Sequence, residues 1–132
     1  MGEPRPKLFE YSIEIDAAGG IAIPGAAPLA LPAGWTADHL LLAALVRCSI
    51  ASLAYHAKNA GHRVETAAGS AAGKVTRRES DGRYAFVEID CRVDAKLTPP
   101  AVAAEELTAK AERDCFIGAT LTVKPRYEWR LT

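Results

Sequence analysis

The feature that most constrains the fold is a long apolar segment in the first half of the chain, from Thr36 to Gly61. Thr36 is a residue type that caps helix N-termini, and Gly61 is the type that ends a helix in a left-handed turn. Between them the segment is apolar on every side, which predicts a helix buried in the core. Polar groups are expensive to bury, so those in its middle need an explanation. They are Arg47, Cys48, Ser49 and Ser52.

The rest of the chain predicts strands and one more helix around this core. Alternation of apolar and polar residues predicts strands at 7–16, 21–23, 62–79, 83–97 and 121–131, and an amphipathic segment predicts a helix at 98–113. Asp81-Gly82 is a strong hairpin turn, and Gly69 and Gly73 predict a bulge or bend within their strand. These elements predict an α+β fold in which antiparallel sheets wrap around a long buried central helix. One small sheet cannot cover a helix that is apolar all round, so we expect a homodimer.

Length, charge and cysteine usage narrow the classes of protein further. The 132 residues predict a single domain over 1–132, with a flexible N-terminus at 1–6. Sixteen Lys and Arg balance sixteen Asp and Glu, so we expect neither a nucleic-acid nor a membrane partner. The start of the chain has no signal-peptide pattern, and three cysteines without an export signal favour free thiols in a reducing cytoplasm.

Cysteines are the best candidates for chemistry. Cys48 lies in the middle of the apolar helix, where a free cysteine is most often a small buried hydrophobe. Its neighbours Arg47 and Ser49 argue for a second interpretation, a thiol with a function. Cys115 follows directly on the end of the second predicted helix, a suitable place for an accessible thiol. Cys91 falls on the inward face of a regular strand and is interpreted as structural.

Two segments carry a resemblance to a known family. The segment DHLLLAALVRCSIASLA around Cys48 is followed by AERDCFIGATLTV around Cys115, and the second cysteine lies 67 positions after the first. Their spacing and contexts resemble the OsmC/Ohr family of thiol-dependent organic hydroperoxide reductases. In that family a buried central helix carries one reactive cysteine and the second follows a later helix. The resemblance implies the OsmC-like fold as an intertwined homodimer, with Cys48 and Cys115 as catalytic residues.

The resemblance also implies a peroxidase cycle. The Cys48 thiolate would attack a hydroperoxide, release an alcohol and become a sulfenic acid, which Cys115 would convert to a Cys48–Cys115 disulfide. No bound cofactor is implied, because family members are reset by an external dithiol, either a lipoylated protein or a small molecule. An ordinary thiol has a pKa of about 8.5 and burial raises it, so Cys48 needs a positive neighbour.

The sequence differs from the family in the groups that would activate Cys48. The family has a glutamate ten residues before the first cysteine, where this chain has Asp38, and an arginine in the preceding loop, where residues 17–37 have none. Ten helical residues rise roughly 15 Å, so Asp38 would act on the thiol of the other subunit or else only complement the helix dipole. Arg47 points about 100° away from Cys48 and would serve through a partner subunit or a bend. Other possible donors are Arg5, Arg92 and Arg113.

Three functions therefore stay open. The first is a two-cysteine peroxidase, and the second is an OsmC-like protein that binds a small hydrophobic ligand without using its thiols. The third is a redox sensor whose disulfide changes a partner surface. His39, His56 and His62 lack the spacing of metal ligands, so we expect no metal site.

Overall fold

The structure, a computed structural model, describes residues 5–132. The prediction of a flexible N-terminus at 1–6 therefore falls mostly outside the described residues. Contacts divide the chain into two compact units, one that ends at Trp35 and one that spans Thr36–Thr132.

The first unit contains a minimal two-stranded sheet. β1 (Glu14–Ile15) pairs antiparallel with β2 (Ile21–Ala22), and the Asp16 carboxylate accepts hydrogen bonds from two backbone N–H groups of the intervening turn. The predicted strand over 7–16 is wrong in extent, because only its last residues are paired. A strand needs a partner for its backbone N–H and C=O groups, and β2 is long enough to pair with only two residues.

The second unit is organised around the predicted helix, α1 (Ala37–Asn59). Thr36 caps it as expected, since its Oγ1 accepts from the His39 N–H while the His39 ring accepts from the Thr36 N–H. Gly61 has φ +86°, the left-handed conformation predicted for the end of this helix. By length and composition alone α1 could cross a membrane, as the core helix of a soluble protein also could. It packs on two strands of a sheet and on two shorter helices, as a core helix does.

A three-stranded sheet covers one side of α1. Its order is β3 (Arg63–Arg77), β4 (Tyr84–Thr98) and β5 (Arg126–Leu131), and β3 and β4 form the predicted long hairpin. The expectation of purely antiparallel sheets is wrong for one pairing, because β5 runs parallel to β4. The chain between β4 and β5 crosses over through helices, which is the connection that parallel neighbours require.

The connection between β4 and β5 holds two short helices. α2 (Ala104–Arg113) begins later than the predicted Thr98, and Pro99 and Pro100 disfavour helical backbone at positions 98 and 99. α3 (Phe116–Thr120) follows Cys115 directly and was not predicted, because five residues carry too little periodicity to detect. The predicted last strand therefore begins at Arg126, five residues later than expected.

The core of the second unit lies between α1, β4 and α2. Its buried apolar side chains are Leu45, Leu53, Ala57, Ile89, Cys91, Val93, Ala95, Leu97, Leu107, Ala111 and Cys115. α1 is not buried on all sides within the subunit. An exposed face of α1 is formed by residues spaced four apart: Ala43, Arg47, Ala51 and Tyr55.

Candidate active site

Cys48 is half-buried near the middle of α1 and borders its exposed face, since Ala51 and Tyr55 follow it by three and seven residues. Burial raises the pKa of the Cys48 thiol, and this is the largest influence on it. The backbone N–H groups of Ile117 and Phe116 lower that pKa, while the neighbouring Cys115 thiol raises it. Within the described chain the net direction is upward, so the single subunit does not activate this thiol.

Cys115 is completely buried at the N-cap of α3. Its Sγ accepts a hydrogen bond from the Gly118 N–H at 3.4 Å. The structure therefore brings together the two thiols that the sequence singled out, because α3 folds back so that its first turn and Cys115 lie beside Cys48. The catalytic roles of both remain predictions.

Three residues that the sequence did not assign to the site surround Cys115. The Ser49 Oγ donates to the Leu45 carbonyl at 2.7 Å, and it lies 3.7 Å from the Cys115 Sγ and 3.9 Å from the Cys91 Sγ. Burial, together with the Cys115 and Cys91 thiols, raises the pKa of the nearby Tyr127 phenol to about 12, while the Ser49 hydroxyl lowers it. The one sequence signal for this cluster was a serine in the middle of an apolar helix.

A polar link fixes the end of α2, and so Cys115, against α1. The His56 Nε2 lies 2.7 Å from a carboxylate oxygen of Asp114, the residue that precedes Cys115. The Arg113 guanidinium holds the pKa of Asp114 at about 2, with His56 contributing less. The Ser52 hydroxyl donates to the Ala111 carbonyl at 2.8 Å. The two polar side chains of α1 that face α2, His56 and Ser52, thus have hydrogen-bond partners. Buried polar groups need such partners, which explains how these side chains are accommodated in an apolar helix.

Asp38 and Arg47 are not brought to Cys48 within one subunit. Asp38 is exposed in the first turn of α1, and Arg47 lies on the exposed face of α1. Neither is among the groups of the described chain that act on the Cys48 thiol. Among residues 5–132 no cluster of His, Cys, Asp and Glu could hold a metal ion.

Comparison with protein families gives one match that covers most of the chain. A family model described as "OsmC-like protein" matches residues 30–130. This range includes both cysteine segments and all elements of the second unit except the last residue of β5. A comparison with curated proteins found no match.

Solved structures share the fold over nearly the whole chain. An OsmC-like protein from Mycoplasma pneumoniae has a TM-score of 0.73 and 17% identity, covering 97% of this chain and 99% of its own. An OsmC-like protein of unknown function from Vibrio cholerae gives 0.74 and 14%, covering 92% and 99%. An organic hydroperoxide resistance protein from Elizabethkingia anophelis gives 0.66 and 16%, covering 97% and 100%. At these identities the similarity establishes the fold alone, and it confirms the predicted α+β class with its central helix.

Proposed function

This chain belongs to the OsmC-like protein family, and from that premise we propose that it is a thiol-dependent peroxidase that reduces organic hydroperoxides. The observation that carries the proposal is that the half-buried Cys48 thiol and the buried Cys115 thiol, far apart in sequence, are neighbours in the fold. The structural similarity to a protein described as an organic hydroperoxide resistance protein supports the same class of substrate.

The proposed cycle follows from the positions of the two thiols. The Cys48 thiolate attacks the distal oxygen of the hydroperoxide, the O–O bond breaks, and an alcohol leaves while Cys48 becomes a sulfenic acid. Cys115 then attacks the Cys48 sulfur, releases water and forms the Cys48–Cys115 disulfide. An external dithiol, of the lipoyl type, reduces this disulfide and restores both thiols. Throughout the cycle, the Phe116 and Ile117 N–H groups offer hydrogen bonds to negative charge on Cys48.

The missing positive neighbour of Cys48 is proposed to come from a second subunit. The exposed face of α1 carries Arg47 between the small residues Ala43 and Ala51, which would let another helix approach closely. Across such an interface Arg47, and with it Asp38, could act on the thiol of the other chain. We therefore propose a homodimer in which the active site is completed between subunits.

Apolar surface elsewhere supports the same assembly. Large apolar side chains that a monomer leaves more than half exposed include Leu8, Tyr11, Ile13, Ile15, Ile23, Leu29 and Tyr55. Extensive exposed apolar surface marks an interface more often than a free surface. β3 is also an edge strand of 15 residues, and unprotected edges of this length usually pair or are covered. We place the protein in the cytoplasm, where its three cysteines would stay reduced between turnovers.

One observation favours the second candidate, an OsmC-like protein that binds a small hydrophobic ligand. Burial raises the Cys48 pKa within the subunit, so that its thiol would be unreactive at neutral pH. A redox sensor would differ from both by oxidising once without turnover. Two measurements distinguish the peroxidase, the binding protein and the sensor: whether hydroperoxide is consumed, and whether its consumption continues when a dithiol is present.

The test measures hydroperoxide consumption with dihydrolipoamide as the reductant. The wild type should turn over cumene hydroperoxide continuously, and the Cys48→Ser variant should lose at least about a hundredfold in rate because its nucleophile is gone. The Cys115→Ser variant should react once and then accumulate a Cys48 sulfenic acid, which dimedone traps.

The matched control is Cys91→Ser, which also removes one buried thiol but leaves the proposed pair intact. Equal consumption by the wild type and the Cys48→Ser variant would contradict the peroxidase. Unmodified thiols after peroxide treatment would favour the binding protein. A single oxidation that dithiol does not turn into a cycle would favour the sensor.

A further inference from the structure

Cys91 is a buried thiol for which the proposed peroxidase cycle has no role. It is 2% exposed on the inward face of β4, and Cys115, at 0%, is its neighbour across the Ser49 hydroxyl. Because the Cys91 and Cys115 sulfur atoms both lie within hydrogen-bonding range of the same Ser49 Oγ, they flank one oxygen atom. Cys115 is thus a neighbour of both other cysteines, Cys48 and Cys91.

We propose that Cys91 is a third redox-active thiol, which accepts the oxidised state from the Cys48–Cys115 disulfide. The inference rests on the peroxidase function proposed above. In the step, the Cys91 thiolate attacks the Cys115 Sγ, a Cys91–Cys115 bond forms, the Cys48–Cys115 bond breaks, and Cys48 leaves as a thiolate. One disulfide is exchanged for another, so no further oxidant or reductant is consumed.

The geometry determines which sulfur is attacked. The Cys91 thiol shares Ser49 with Cys115, and the groups that act on it include Cys115 but not Cys48. Cys48 is the least buried of the three thiols and is therefore the best-solvated leaving group. After the exchange, the disulfide joins the two fully buried cysteines and Cys48 is again a free thiol facing the hydroperoxide.

The consequence is a second turnover without reductant. Burial raises the pKa of Cys91, so its thiolate is scarce and the exchange is slow compared with reduction by an abundant dithiol. The buried disulfide then accumulates only when the external dithiol is exhausted. In this state the protein holds one disulfide, the product of a two-electron oxidation, away from solvent while Cys48 can react again.

The experiment counts hydroperoxide molecules consumed by the reduced protein in the absence of any dithiol. The wild type should consume about two molecules of cumene hydroperoxide per chain, since Cys48 is freed once by exchange. Peptide mapping after alkylation should then find a Cys91–Cys115 disulfide, and dimedone should label Cys48. The Cys91→Val variant should stop after about one molecule, with a Cys48–Cys115 disulfide.

The matched control is Val93→Ala, which changes another buried side chain on the same face of β4 but keeps all three thiols. It should behave as the wild type does. A wild type that stops at about one molecule, with Cys91 still open to alkylation after unfolding, would overturn the exchange while leaving the peroxidase intact. Absence of any disulfide involving Cys48 in every variant would overturn both.

A second measurement tests the Cys91–Cys115 pair without peroxide. The Cys48→Ser variant is treated with diamide, which oxidises pairs of neighbouring thiols to a disulfide. A Cys91–Cys115 disulfide supports the proposal. Two thiols that stay reduced under conditions that oxidise dithiothreitol would show that the pair cannot bond, and would overturn it.

Discussion

At the scale of single residues, the site depends on Gly118 as much as on its thiols. A Cβ atom added at Gly118 would lie 2.7 Å from the Tyr127 hydroxyl oxygen and 3.6 Å from the Cys115 Sγ. The space that a side chain would need is thus occupied by the Tyr127 phenol. Glycine at this position lets the Tyr127 hydroxyl approach the first turn of α3, whose N–H group binds Cys115.

We expect Gly118→Ala to destabilise the protein by about 1–3 kcal/mol, the usual cost of overpacking a filled position. Alanine is a better helix former than glycine by at most about 1 kcal/mol, so the steric cost prevails. Urea unfolding measures the change. In the Tyr127→Phe background the clashing oxygen is absent, and the same substitution should cost clearly less. Equal costs in the two backgrounds would show that Tyr127 is not the obstacle.

The chemistry of this site divides into a part visible in the sequence and a part that needs the fold. Cys48 and Cys115 could be singled out because each stands in a distinctive local segment. The contact of Ser49 with Cys115 joins residues 66 positions apart, and no local pattern encodes it. The backbone N–H groups beside Cys48 were equally invisible, since the short α3 that presents them lacks a periodic signal.

At the scale of elements, the prediction of an irregular β3 was correct, but the glycines on which it was based are not the cause. The predicted irregularity exists, but the register shifts occur at Val64/Thr66 and at Lys74/Val75 rather than at a glycine. Gly69 instead allows close approach, since a Cβ there would lie 2.6 Å from the Arg92 carbonyl oxygen. At Gly73 the nearest atom belongs to the Phe86 ring, at 2.5 Å.

These two glycines should differ in their response to substitution. Gly69→Ala pushes against backbone in the neighbouring strand, which cannot move without disturbing the β3–β4 ladder, and we expect a loss of about 2–3 kcal/mol. Gly73→Ala meets a side chain that can rotate, so its cost should be smaller. The exposed Ala72→Ser change is the control and should stay within about 0.5 kcal/mol. A larger loss at Gly73 than at Gly69, in chemical unfolding, would contradict this ranking.

The connection from β4 to β5 is the part of the fold that sequence patterns predicted least well. Alternation correctly identified a last strand that reaches Leu131, yet it gave no information on direction, since parallel and antiparallel strands alternate alike. Direction follows from the path that α2 and α3 take back across the sheet. The Pro99-Pro100 dipeptide could have been used to predict a later start of α2, because each proline disfavours helical backbone in the residue before it.

At the scale of the whole molecule, the proposed chemistry requires a group that lowers the pKa of the Cys48 thiol. The groups of the described chain that act on this thiol include no cation, and together with burial they leave its pKa above the ordinary value. Net charge is zero, so no general field favours a thiolate. A specific cation is needed, and Arg47 lies on the exposed face of α1, where a second subunit would bring it to another chain.

We expect the dimer to lower the Cys48 pKa through Arg47. Arg47→Gln should raise the apparent pKa by about one unit, equivalent to a tenfold loss of thiolate at neutral pH. The measurement is the pH dependence of Cys48 alkylation by iodoacetamide, with sedimentation to verify that the variant remains a dimer. Lys58→Gln removes an exposed cation further along the same helix and should leave the profile unchanged. Superimposable profiles for the wild type and Arg47→Gln would exclude Arg47 as the activating group, and a wild type that sediments as a monomer throughout would exclude activation between subunits.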